Sequence, residues 1–243
     1  MKLLTRDFKS VATALKQLLY NLAIEITSSS KGIKRSDIWK EDAFFVELRY
    51  EVMEKTFLNA NKLFMLYQFA RGTISLDGDI SELGVYKGGT AKLLARVSNK
   101  YTTKKVFLFD TFEGLPQPDP TKDIYYQKGD MSDTDINEVK NYMSDCQNIV
   151  FYKGLFSDTL HNVSDRVFSM VHIDCDLYSS TFQACEFFYP RLVQGGVMIF
   201  DDYGFISCVG AKKAVDEFFS KPGRDFPVCL PSGQCIVIKQ KEY

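Results

Sequence analysis

Beyond residue 78 the chain repeats one pattern: a short apolar run, then a stretch with helical spacing. The runs cover residues 79–85, 105–109, 149–152, 168–173 and 197–200. A strand buried on both faces loses the polar-apolar alternation of a half-exposed one, so such runs predict strands of a parallel sheet. Residues 90–98, 134–145 and 181–192 between them read as helices. Strand alternating with helix leads to a doubly wound α/β sheet. After a helix over 211–219, residues 228–230 and 234–239 read as two more strands, and the turn Pro231, Ser232, Gly233 is short enough for an antiparallel hairpin at the sheet edge.

Upstream, Val11, Leu15, Leu18, Leu19, Leu22, Ala23 and Ile26 recur every three or four residues, which predicts an amphipathic helix over 8–26. Residues 27–35 are rich in Ser, Lys and Gly and read as a loop. Helical spacing resumes over 42–70, with a break near Asn59, Ala60 and Asn61. These helices could cap the sheet or form the contact of a homo-oligomer. A chain of 243 residues suffices for one large α/β domain with such an extension.

Composition excludes some partners. With 31 acidic and 30 basic residues the chain has no broad field to attract nucleic acid or an anionic membrane, and a small molecule fits better. The six cysteines show no CxxC pair and no zinc-ligand spacing, so buried free thiols in a reducing compartment are expected. No run approaches the ~20 apolar residues that cross a bilayer, and residues 1–20 lack the apolar centre of a signal peptide. The expected location is cytoplasmic.

Ligands of doubly wound sheets bind beyond the carboxyl ends of the strands, and the glycines and acids of this chain fall there. Glu82-Leu83-Gly84-Val85-Tyr86-Lys87-Gly88-Gly89 runs into a helix start and is either a tight turn or a loop that lets a cofactor approach the backbone. Asp110 ends the second run, where a carboxylate can accept ribose hydroxyls or cap a turn. Gly154-Leu155-Phe156-Ser157-Asp158 could border an adenine ring, or Ser157 or Asp158 could cap a helix. His172-Ile173-Asp174-Cys175-Asp176 and Asp201-Asp202-Tyr203 end the fourth and fifth runs with two carboxylates each. Four converging acids repel one another unless a cation neutralises them, and a hard divalent ion such as magnesium takes oxygen ligands. Helix capping or pairing with Lys and Arg is the competing explanation. His172, inside an apolar run, is either a satisfied core imidazole or a base.

Together with Asp110-Thr111-Phe112-Glu113-Gly114-Leu115-Pro116 and the extended segment Thr159-Leu160, these five ordered motifs resemble the S-adenosylmethionine-dependent sugar O-methyltransferases of the macrocin and mycinamicin type. The resemblance covers about residues 50 to 240, with departures at Leu83 and Lys87. It implies a Rossmann-like class I methyltransferase fold with a mostly parallel seven-stranded sheet, and a division into an N-terminal helical extension, 1–72, and a catalytic domain, 73–243. It also implies that Asp174, Asp201 and Asp202 bind Mg2+ and that Asp176 is the general base, with His172 the other candidate. The cofactor S-adenosyl-L-methionine would then lie along Glu82, Gly84, Val85, Tyr86, Gly88 and Gly89, with Asp110 at its ribose and Thr111 and Phe112 also among its contacts. Leu155, Phe156 and Ser157 would border adenine, and Asp174 would stand beside the cofactor as well. The acceptor would be a hydroxyl of a sugar or glycosylated small molecule. Catechol-type methyltransferases share this metal logic, and a nucleotide-binding oxidoreductase would share only the glycine loop and the ribose acid.

Overall fold

The computed structural model describes residues 37–240, so the helix expected over 8–26 lies outside the described residues. The chain divides into a unit of residues 1–41, of which the 3-10 turn Ile38–Glu41 is described, and a unit of residues 42–243 that holds the sheet.

The second unit opens with two helices whose starts are fixed by side-chain caps. Asp42 accepts the Phe45 N–H at 3.0 Å at the head of α1 (Ala43–Val52). Asn59 accepts the N–H groups of Asn61 and Lys62, both at 3.1 Å, at the head of α2 (Ala60–Gly72). The expected break near Asn59 is thus the capped start of α2, and α1 already ends at Val52. Asp42 also joins the two helices, because its Oδ2 accepts from the Tyr67 hydroxyl at 2.8 Å and from Arg71 at 3.0 Å.

The strands are β1 (Asp79–Leu83), β2 (Val106–Asp110), β3 (Ile149–Lys153), β4 (Phe168–Ile173), β5 (Leu192–Phe200), β6 (Val228–Cys229) and β7 (Cys235–Ile238). They form one sheet in the order β3-β2-β1-β4-β5-β7-β6. The first five run parallel, whereas β7 pairs antiparallel with both β5 and β6. This is the expected doubly wound sheet with an antiparallel edge hairpin. The connecting helices are α3 (Gly89–Tyr101), α4 (Ile136–Tyr142), α5 (Phe156–Thr159), α6 (Tyr178–Phe188) and α7 (Val209–Phe219).

Several boundaries differ from expectation, and three of them have a local reason. Asp135 caps α4, accepting from Asn137 and Glu138, so this helix starts later than 134, and it also ends short of 145. Pro190 has no N–H to continue α6, which gives way to the 3-10 turn Tyr189–Arg191. Strand β5 therefore begins at Leu192, and it passes through Gly195 and Gly196, which Lys239 holds by N–H···O bonds of 2.8 and 2.9 Å at the end of β7.

Every residue of β4 is buried. Phe168 packs edge-on against Phe188 at 4.9 Å and Phe107 at 6.1 Å, which ties β4 to α6 and β2. Among the described residues no helix is long and apolar enough to cross a membrane. All six cysteines are free, and Cys229 alone among them is exposed. A thiol reagent applied to the native protein, with peptides then read by mass spectrometry, should label Cys229, while the buried thiols react only after denaturation.

Candidate active site

Strands β1 and β4 are neighbours in the sheet although they are far apart in sequence, so the order of connection reverses between them. A crevice for ligands opens at such a switch point. Glu82 and His172 face each other there in register, both wholly buried, with 2.7 Å between Oε1 and Nδ1. The second imidazole nitrogen points toward Asp201, 4.0 Å from its Oδ1. Burial lowers the pKa of the ring, but the contacts with Asp201 and Glu82 outweigh it and push it up to about 10. His172 therefore carries its proton at neutral pH.

Asp201, just past β5, is gripped from three sides. Its Oδ2 pairs with the ammonium of Lys62 on α2, and its Oδ1 accepts from the Gln234 amide at 2.9 Å. Lys62 also donates to the Asp201 carbonyl at 3.0 Å. Burial alone would raise the Asp201 carboxyl, but His172 and Lys62 hold it below the usual carboxylate range. The other acids behave in the opposite way. Burial, followed by the charges of Asp201 and Asp202, raises Asp174 well above that range. Burial and the charges of Asp176 and Asp201 do the same to Asp202. For Asp176, burial raises the carboxyl despite hydrogen bonds from Tyr126 and Cys208 that lower it. Asp174, Asp201 and Asp202 each offer an oxygen within 4.8 Å of the others, a spacing that fits one hard cation.

Asp176 has left-handed backbone, φ 60°, and its N–H donates to Asp202 Oδ2 at 2.8 Å. Its Oδ1 accepts a 2.7 Å hydrogen bond from the Tyr126 hydroxyl, and the Cys208 sulfur lies 3.6 Å away. Tyr126 belongs to the long connection between β2 and α4. Asp123 anchors that connection, accepting the Tyr178 N–H at 2.9 Å at the head of α6, where the cap residue Leu177 offers no side-chain bond.

The glycine loop lies against this cluster. Gly84 has φ 87°, and a Cβ there would stand 1.7 Å from the Asp174 carbonyl oxygen, so a side chain at this position would displace a proposed ligand. Gly88 precedes α3 in the left-handed conformation and Gly89 is its first residue. Asp110 accepts from Val85 at 2.6 Å and Tyr86 at 2.9 Å through Oδ2, and from Phe112 at 2.6 Å through Oδ1. Its turn-capping role is visible, and it joins the loops after β1 and β2. Thr111 closes its own turn by donating to the Gly114 carbonyl at 2.6 Å. Leu155, not Ser157 or Asp158, occupies the cap position of α5, and it makes no side-chain cap bond. The Ser157 hydroxyl instead donates to Asp158 at 2.9 Å, and Leu155 is left exposed. Phe156 is the first residue of α5 and packs against the core.

The sheet order with its reversed edge hairpin, the glycine loop after β1 and the acids beyond β4 and β5 define a class I methyltransferase fold. The solved structure of the O-methyltransferase NovP has that fold, superposing with a TM-score of 0.68 at 24% identity over 77% of this chain and 83% of that one. Residues 62–230 match the family described as Macrocin-O-methyltransferase (TylF), and the chain belongs to that family. Among characterised relatives it is 29% identical over 177 residues to the 8-demethyl-8-(2,3-dimethoxy-alpha-L-rhamnosyl)-tetracenomycin-C 4'-O-methyltransferase of Streptomyces olivaceus, a match that covers 66% of each chain. It is 23% identical over 227 residues to the mycinamicin III 3''-O-methyltransferase of Micromonospora griseorubida, covering 86% of this chain and 87% of that one. The chain thus spans about two thirds of the length of the first relative.

The strand ends bring Glu82, His172, Asp174, Asp176, Asp201 and Asp202 into one cluster. Lys62, Tyr126, Cys208 and Gln234 join it without having been singled out in the sequence. Lys62 did carry a signal, since it shares the buried stripe of α2 with Leu63, Leu66, Tyr67 and Ala70. A lysine on an apolar stripe calls for a buried acid. Gly84→Ala should lower the melting temperature by several degrees, combining about 1–2 kcal/mol for the left-handed backbone with the collision at Asp174; a thermal melt within a degree of the parent would contradict the close approach.

Proposed function

We propose that this chain is an S-adenosylmethionine-dependent O-methyltransferase that uses a divalent cation and methylates a hydroxyl of a sugar or glycosylated small molecule. The observation that carries this reading is the cluster of Asp174, Asp201 and Asp202 beside Asp176 at the switch point of a methyltransferase sheet. Sugar acceptors are supported by family membership and by relatives named for O-methylation of a rhamnosyl tetracenomycin and of mycinamicin III. Work in a reducing compartment, the cytoplasm, is supported by the free thiols. We assign catalysis to the domain over 73–243, with the preceding helices as its extension.

The residues present fit the cation. Four buried acids, Glu82, Asp176, Asp201 and Asp202, and the half-buried Asp174 stand together, and among the described residues the cationic groups paired with them are Lys62 and His172. This leaves an excess of negative charge that a divalent ion bound by Asp174, Asp201 and Asp202 would neutralise. When bound, such an ion supplies positive charge that makes a neighbouring hydroxyl easier to deprotonate. Asp176 receives the proton of the acceptor hydroxyl. Tyr126 donates to its Oδ1, which orients the carboxylate and leaves Oδ2 to take the proton. Glu82 and His172 act from within the sheet by fixing the charge and direction of Asp201. S-adenosylmethionine would be held with its ribose near Asp110 and the rest of it along the loop from Val85 through Gly89, and Leu155, Phe156 and Ser157 would border its adenine, with Thr111 and Phe112 among its other contacts. Methyl transfer then follows from holding the two reactants in line.

The test is to incubate the full chain with methyl-labelled S-adenosylmethionine, magnesium chloride and a panel of nucleotide sugars and glycosides. Label should enter a sugar hydroxyl, and excess chelator should stop the transfer. Asp176→Asn should lower kcat by about 10²–10⁴-fold, and Asp201→Ala should abolish the response to magnesium. Calorimetry that detects no S-adenosylmethionine binding, or full turnover in chelator, would overturn the corresponding part of the reading.

A further inference from the structure

Lys62 lies outside every motif of the cofactor and acid set, yet among the described residues it is the only lysine whose ammonium forms an ion pair with any of Asp174, Asp176, Asp201 and Asp202. It is 3% exposed. An ammonium so placed is tolerated only if each of its three donors is used. One meets Asp201 Oδ2, one meets the Asp201 carbonyl at 3.0 Å, and the ring of Phe205 lies 4.0 Å from the nitrogen as a cation–π partner. Both hydrogen bonds thus go to a single residue. Gln234 completes the arrangement, its amide donating to Asp201 Oδ1 at 2.9 Å and to the Lys62 carbonyl at 3.4 Å, so that α2, the end of β5 and the start of β7 close around one carboxylate.

This geometry has two consequences. Asp201 is neutralised by the protein itself, and both of its oxygens are already engaged, Oδ2 by Lys62 and Oδ1 by Gln234. A divalent cation that binds Asp174, Asp201 and Asp202 must come close to a fixed positive charge and compete for Asp201 Oδ2. We propose that Lys62 is the resident counter-ion of the site: a positioning residue that stabilises Asp201 in the metal-free protein and weakens, by its charge, the binding of the divalent cation. The proposal rests on the reading of these acids as a cation site. It implies a protein that folds with the site intact before metal arrives and exchanges its metal readily.

Lys62→Met keeps the length of the side chain and removes the charge. The proposal is tested with MnCl2 as the probe, by calorimetric titration of the full chain and by thermal melts in chelator and in saturating MnCl2. Expected for Lys62→Met are a melting temperature several degrees below the parent in chelator, a gap that closes in MnCl2, and a Kd for Mn2+ about tenfold tighter. The double variant Lys62→Met, Asp201→Asn removes both charges and should regain the melting temperature lost in chelator. If the single variant does not fold, recovery of folded protein in the double variant reads the same charge balance. A melting gap of equal size with and without MnCl2 would mean that Lys62 only packs, and an unchanged or weaker Kd, or no recovery in the double variant, overturns the proposal as well. If the parent chain itself binds no Mn2+, the cation reading of Asp174, Asp201 and Asp202 falls, an outcome distinct from failure of Lys62 alone.

Discussion

Charge compensation at Asp201 is the interaction on which the rest of the site depends. A carboxylate in a buried setting survives as an ion only if positive charge and hydrogen bonds replace the water it has lost. Asp201 obtains these from Lys62, His172 and Gln234, which belong to three different segments of the fold. His172 in turn keeps its proton because Glu82 stands beside it in register on β1. A line of alternating charge, Glu82, His172, Asp201, Lys62, thus runs from the centre of the sheet into the helix preceding it. Breaking a buried pair by removing one partner typically costs about 3–5 kcal/mol, so each member fixes the next, and the positions of β1, β4, β5 and α2 are tied to the chemistry of one carboxylate.

The same compensation separates the acids by role. Asp201 is held ionised by its partners, whereas Asp174 and Asp202, crowded by other carboxylates and without a lysine of their own, are driven toward the neutral form. Four acids that look alike in the sequence are therefore unlike in the protein. Proximity to His172 and Lys62 decides the difference.

That difference marks where sequence reading stops. The strands were legible because burial on both faces gives runs such as Val106 to Asp110 and Phe168 to Ile173 a composition that helices of this chain lack. The acids at their ends were legible because topology alone places strand ends at one edge. The extent of β5 was not, since Gly195 and Gly196 interrupt its apolar pattern and are held by bonds to Lys239 that no local signal encodes. Lys62, Tyr126 and Gln234 escaped for a related reason. They reach the site from a helix, a connection and a hairpin whose own patterns concern their packing, and the contact across the fold is what gives them meaning. Asp110 shows the reverse case: its position identified it, but its engagement by three backbone N–H groups could be seen only once the loops after β1 and β2 were placed side by side.

Two different physical devices therefore build the two sides of the crevice. The floor is made of strand ends locked by buried charge. The wall is one connection, after β2, and its hold on the floor depends on Asp123, which is 3% exposed and caps α6 through the Tyr178 N–H. Gly210 on α7 makes room for that carboxylate, since a Cβ at Gly210 would stand 1.8 Å from Asp123 Oδ1. Three residues further along, Tyr126 turns inward to Asp176, while Ile124 and Tyr125 between them face outward, 65% and 57% exposed. The alternation of anchored and outward side chains means that the outward pair can change without disturbing either anchor. A fold built this way keeps its acids fixed while the exposed pair between the two anchors is free to vary.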